Sequence, residues 1–186
     1  MKTAILAALL LAAPLLAQDQ LATELDQVAR AATAMVDGDV ASRIQTARSV
    51  ASMLETNPRD QWAAADDYDV DHQAFITTKK TLIRLARLCS STCDANLWLP
   101  IAGALGRIHI AIRNVNEMSQ FWRWGDLHQP VPAEMKSVLE TGKRVTVRKR
   151  PGMVSVLAPV YDSLGDIAGV VEVVGVLKPN HQENVQ

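Results

Sequence analysis

Between Met118 and His128 the chain places Trp122, Arg123, Trp124, Asp126 and His128 within seven residues, in a sequence whose aromatic content is only 4%. Two indole faces flanking a guanidinium can stack on a planar or cationic ligand, or the guanidinium can grip a carboxylate through its fork of donors. The same residues also fit a plainer role, with one Trp in the core, the other over the core edge and Arg123 in solvent. His109 and Arg113 lie two turns of a strand pattern upstream, where period-two alternation puts them on one face and makes them candidate pocket residues. Tyr161 offers a hydroxyl that can cap a pocket or satisfy a turn. Glu172 is the one acid in the apolar run GVVEVVGVL, so it must face solvent, pair with a base such as Arg113 or Arg148, or bind ligand.

Other chemistry is excluded by spacing. Asp67, Asp69 and Asp71 alternate as in a calcium loop, but His72 stands where that loop needs Gly and Thr78 where it needs a bidentate Glu. Asp71 instead reads as the N-cap of a helix, with Asp66 and its neighbours favouring the helix dipole. The four histidines His72, His109, His128 and His181 show no metal-ligand spacing, and hydrolase, haem and phosphate-loop motifs are absent. No cofactor is implied. Catalysis has only Ser155 and His109 as a conceivable nucleophile and base, so the chain reads as a non-enzyme.

The elements that must position these residues begin with a leader. Met1–Ala17 has Lys2, an apolar stretch from Ala4 to Leu16 interrupted by Pro14, and a small residue before Gln18, which is the composition of a secretory signal peptide. The apolar stretch is shorter than a spanning helix. Cleavage would leave 169 residues, one domain's worth, and move the net charge from −1 to −2. That balance gives no support for nucleic-acid binding. In Lys143–Arg150 five of eight residues are basic, which suits a solvated strand edge or an anion-facing one. Cys89 and Cys93 form CSSTC, and in an oxidising compartment the expected state is a local disulfide pinning a helix exit.

Apolar spacing predicts helix from Leu21 to Thr56, with Asp37-Gly38-Asp39 capping one half and starting the next, and a second helix over 71–88. Strand patterns follow at Asn96–Ala102, Arg107–Val115 and Met118–Trp124, with Ile108, Ile110 and Ile112 on one face. A short helix at Ala133–Thr141 ends at Gly142. Val145–Arg148 and a terminal hairpin over Val154–Leu177 complete an antiparallel sheet of about five strands. The fold class is α+β, with helical residues 18–94 and sheet residues 95–178 in one domain and a tail over 179–186.

The segment from Asn96 to Leu177 resembles the extracytoplasmic PAS-like sensor domains called Cache domains, found on bacterial histidine kinases and chemoreceptors. The resemblance is carried by Leu139-Glu140-Thr141-Gly142-Lys143, by Ala158-Pro159-Val160-Tyr161-Asp162 with Gly165, and by Ile167-Ala168-Gly169-Val170-Val171. It implies a long N-terminal helix that packs on the sheet and dimerises, and a ligand pocket on one sheet face closed by Trp122–Lys143. The familiar ligand sets do not carry over: Ser155 stands where carboxylate-sensing relatives have a base, and Val174 where amino-acid-sensing ones have Asp. The resemblance thus implies a secreted or periplasmic stand-alone sensor that binds a small molecule and signals in trans to a membrane histidine kinase or chemoreceptor. The alternative is a ligand-free interaction module of the cell envelope acting through a helical dimer face.

Overall fold

A computed structural model describes residues 2–61 and 69–177 of the chain. Asp66 and Asp67 of the acidic cluster, the 179–186 tail and the side chains of the leader up to Leu16 lie outside the described residues. The first helix, α1 (Lys2–Met35), lays Leu21, Leu25, Val28, Ala29 and Ala32 against the sheet at three-to-four-residue steps. It contacts the two strands of the terminal hairpin. The expected run from Leu21 to Thr56 is divided into three helices. Asp37 caps α2 (Gly38–Ser42) by accepting from the Asp39 and Val40 amides at 2.9 and 3.1 Å. Thr46 and Ser49 form a reciprocal capping box that starts α3 (Ala47–Glu55) on a new axis. Asp71 caps α4 (His72–Ala86) through the Ala74 amide at 2.9 Å, the role its spacing indicates. No helix among the described residues is long and apolar enough to cross a membrane.

The Cys89–Cys93 disulfide is formed and ties the exit of α4 to the start of β1 (Cys93–Pro100). Within that loop Ser90 donates through both its amide and its hydroxyl to Glu24 of α1. The remaining elements are β2 (Arg107–Ile112), β3 (Gln129–Pro130), α5 (Ala133–Thr141), β4 (Val145–Val147), β5 (Met153–Tyr161) and β6 (Ile167–Val176). They form one antiparallel sheet in the order β3-β2-β1-β6-β5-β4. The fold is therefore α+β, with six strands rather than five.

Three expectations are corrected. Met118–Trp124 is irregular rather than a strand, because its backbone groups are taken by side chains from the sheet, as described below. The added strand β3 pairs only with Arg107 and Ile108, so among the described residues no strand pairs with that side of the second half of β2. Ile112 does not share a face with Ile108 and Ile110. Leu97 pairs with Ile112 and Trp98 with Ile110, so one extra residue is bulged at Ala111, and Ile112 turns into the core under the helices.

The sheet's two faces serve different partners. Val154, Val156, Ala158, Val171 and Val173 face α1, while Trp98, Leu157 and Val170 face α5. Gly142, with φ 67°, ends α5 in the left-handed conformation that residues with a Cβ adopt at a cost. The basic run is largely spent on neighbours. Arg144 makes a two-bond contact with Asp26, Arg148 pairs with Asp19 and Lys149 with Glu134, while Arg150 donates to the Trp122 carbonyl. These bonds fasten the β4 edge to α1 and α5.

Gly38 is where α2 meets the hairpin end, and a Cβ built there would lie 2.5 Å from the Tyr161 carbonyl oxygen and 2.7 Å from the Asp162 nitrogen. Gly→Ala within a helix ordinarily stabilises by about 0.5–1 kcal/mol. Here the backbone of the hairpin must move, so Gly38→Ala is expected to destabilise by roughly 1–3 kcal/mol, read as a lower urea midpoint at unchanged slope.

Candidate functional site

On the α5 side of the sheet, period-two alternation brings Asp94, Asn96 and Trp98 of β1 into one row, and Asn96 is paired across the ladder with Glu172 of β6. These buried polar groups organise the connection from Asn114 to Trp122. Asp94 accepts from the Asn116 amide at 3.2 Å, the Asn116 side chain at 2.9 Å and the Met118 amide at 3.0 Å. Asn96 accepts from the Asn114 amide at 2.9 Å and donates to the Met118 carbonyl at 2.6 Å. Glu172 accepts from the Ser119 hydroxyl at 2.6 Å, the Gln120 amide at 2.7 Å, the Ser155 hydroxyl at 2.9 Å and the Trp98 indole at 3.1 Å.

Glu172 is fully buried and its four partners are all neutral, so it neither faces solvent nor pairs with Arg113 or Arg148. Burial pushes its carboxyl up from the ordinary value, and the bonds from Ser119, Gln120, Ser155 and Trp98 oppose that rise. It is a structural acceptor sealed from ligand. Ser155 is bound to it, and two strands, β1 and β6, separate Ser155 on β5 from His109 on β2, so no nucleophile and base are assembled there.

The face that Trp122–Lys143 was expected to close over a ligand is filled by side chains. Trp98, Phe121, Met135, Val138 and Leu157 pack together there, with Trp98 and Phe121 edge to face at 6.3 Å. A cavity of about 540 Å³ lies elsewhere, at the edge of β2. Ser49 and Met53 of α3, Phe75 and Lys79 of α4, and His109 and Arg113 of β2 and its exit line it, and Trp122 and Asp126 close the far side. The Arg113 guanidinium lies over Trp122 at 4.4 Å from the ring centre and 5.7 Å from that of Trp124, the two indoles standing edge to face. Lys79 donates its ammonium to the Arg113 carbonyl, and burial lowers its pKa from the ordinary value while Asp94 raises it. Glu117, in left-handed backbone at φ 53°, lies 3.4 Å from Arg113.

His109 is 9% exposed, and its Nε2 has no hydrogen-bond partner among the described residues. Burial, and secondarily the neighbouring His128, drives its pKa down to about 4, so the ring is neutral near pH 7. His128 is buried beside the cavity rather than in its lining. Its Nδ1 accepts from the Arg107 Nε–H at 3.0 Å, and burial and the Arg107 charge lower its pKa against a rise from the Met53 backbone.

The structure thus brings Trp122, His109 and Arg113 into the lining of one cavity, with Trp124 edge to face with Trp122, but the bulge at Ala111 takes Arg113 off the strand face of His109 that alternation assigns to both. Arg123 points away and is exposed, its amide donating to Asp126 at 3.0 Å, so Arg113 takes the place between the indoles that adjacency suggested for Arg123. Tyr161 donates to the Gly142 carbonyl at 3.4 Å on β5 and fastens α5 rather than capping the cavity. Sequence reasoning missed Phe75, Lys79, Glu117, Asp94 and Asn96. The alternation of Asp94, Asn96 and Trp98 in an apolar strand was the available signal. Compared with known proteins, the chain matches no family model, and no curated protein is significantly similar to it.

Glu172→Ala strands an indole N–H, a backbone N–H and two hydroxyls in a sealed site. A loss on the order of 3 kcal/mol in chemical denaturation is expected. His109 carries a pH dependence of definite sign. Its folded pKa of about 4 lies below the unfolded 6.5, so the unfolded chain binds more protons in that window. Its contribution is present above pH 6.5 and is lost as pH falls towards 4, to roughly 3 kcal/mol. In His109→Gln the fall in stability between pH 6.5 and 4 should be smaller than in the parent by about that amount.

Proposed function

We propose that this chain is a small-molecule binding domain of PAS/Cache-like type, acting outside the cytoplasm and signalling in trans to a membrane histidine kinase or chemoreceptor. The observation that carries the reading is the cavity at the β2 edge, where Arg113 lies over Trp122 and the buried His109 presents a nitrogen without a partner among the described residues. Its volume is within the range of small-ligand sites, and its lining mixes apolar walls with a few converging polar groups. The antiparallel sheet with α1 along one face is the arrangement the Cache resemblance implies, and the leader-like composition of Met1–Ala17 supports export. A dimer through α1 belongs to the same proposal. The function is binding rather than catalysis, with no cofactor.

A second reading, an interaction module of the cell envelope without a ligand, is favoured by the close packing of the face under α5. Thermal unfolding of the protein against a library of amino acids, carboxylates, amines and nucleobases separates the two. At a hundredfold excess over Kd a ligand contributes about 2.7 kcal/mol, which for a chain of this size raises the midpoint by roughly 5–10 °C. The sensor reading expects a saturable rise that Arg113→Ala and Phe75→Ala abolish. An unchanged midpoint across the library, with a concentration-dependent dimer, supports the interaction module instead.

A further inference from the structure

The cavity at the β2 edge is lined by two cations, Lys79 and Arg113, and two acids, Glu117 and Asp126. Lys79 reaches it from α4 and donates to the backbone carbonyl of Arg113, so both cations belong to the lining of one cavity. The buried Arg113 Nη1 is within ion-pair distance of Glu117, 3.4 Å, but makes no hydrogen bond. Across the Ala111 bulge, the His109 Nε2 in the same lining has no partner among the described residues. Asp94 acts on the Lys79 charge while its oxygens accept from Asn116 and Met118, and the two acids of the lining are poorly placed to complete Arg113 and His109. Asp126 is 3.7 Å from Arg59 and accepts from the Arg123 amide. Glu117 has a side chain 52% exposed, on a left-handed backbone conformation that is unfavourable for a non-glycine residue.

A buried donor without an acceptor carries a desolvation cost that a ligand oxygen would remove. A cationic ligand would be set against both Lys79 and Arg113. A neutral one would leave the guanidinium fork unused. An anion satisfies the guanidinium, the ammonium and, in its Nε2–H tautomer, the imidazole together. Phe75 and Ile110 then remain for an apolar body.

We infer that the β2-edge cavity is a site for a small organic anion, its charged group held by Arg113, Lys79 and His109 and its apolar body set against Phe75 and Ile110. The inference rests on the reading of the chain as a binding domain. It places the ligand outside the α5-covered face to which the Cache resemblance assigns it. Glu117 is the internal stand-in for the ligand's charge, and the bound anion displaces it from Arg113 into solvent.

The test uses matched sets that differ only in charge: phenylacetate, phenylacetamide and phenethylamine, and isovalerate, isovaleramide and isopentylamine, with benzylphosphonate as a second acid chemistry. Binding is followed by tryptophan fluorescence, since Trp122 is in the wall, and by thermal unfolding. The acids are expected to bind at least tenfold more tightly than their amides, and the amines not at all. Arg113→Met and Lys79→Met should reduce acid binding to the level of the amide. Glu117→Gln, at an exposed side chain, should tighten acid binding about threefold, an effect that a purely structural Arg113–Glu117 pair would not produce. Amides or amines binding as tightly as the acids would overturn the anion assignment and leave the binding domain standing. Absence of binding in every charge class would overturn both.

Discussion

A buried glutamate carboxyl sits at the centre of the sheet with four neutral donors around it, and the connection that follows β2 takes its shape from that group. Burying Glu172 in an apolar strand is unfavourable unless each oxygen is given donors, and the structure supplies four, from Trp98, Ser119, Gln120 and Ser155. Two of those four lie in the connection itself. The segment from Asn114 to Trp122 has no ladder to satisfy its backbone, so the sheet's own side chains do so, with Asp94 and Asn96 taking the first half and Glu172 the second. Ser119 then accepts from the Phe121 and Trp122 amides, which sets the direction in which both aromatic side chains leave the backbone.

From this arrangement both layers on that side of the sheet follow. Phe121 goes into the packed cluster beneath α5, and Trp122 reaches the edge of β2 where Arg113 lies on its face. The opposite wall of the cavity is fixed independently, by α4 between its Asp71 cap and the Cys89–Cys93 bond and by the Thr46 capping box that turns α3 towards β2. β3 stops after two residues, so among the described residues no strand pairs with that side of β2 beyond Ile108, where His109 and Arg113 follow. The cavity is thus a gap between two rigid walls, one held by helix caps and the other by buried carboxylates.

Much of the framework was legible because it depends on local chemistry. Asp71, Asp37 and Gly142 are capping residues at sequence-readable positions, and the terminal hairpin announces itself by two β-branched runs around Asp162 and Gly165. Cys89 and Cys93 are close enough in sequence to pair locally. The site was less legible because it depends on long-range pairing. Arg123 lies between two tryptophans in sequence, but Arg113, nine residues before Trp122, is the cation that stacks on them once the connection folds back. Ile112 changed faces because a bulge at Ala111 has no signature in the alternation of apolar residues. Glu172 looked like a solvent-facing, base-paired or ligand group because its partners, Ser119, Ser155 and Trp98, are neutral residues scattered over 58 positions, and no charge pattern marks them.

The claim on which the rest depends is that buried carboxylates, rather than secondary structure, hold the connection that walls the cavity. Amide hydrogen exchange tests it at the residues concerned. The Asn116 and Met118 amides bond to Asp94 and the Gln120 amide to Glu172. The account predicts that these three amides exchange as slowly as those in the centre of β6, although they lie in an irregular segment. Exchange at the rate of the exposed loop at Gly103 and Leu105 would contradict it.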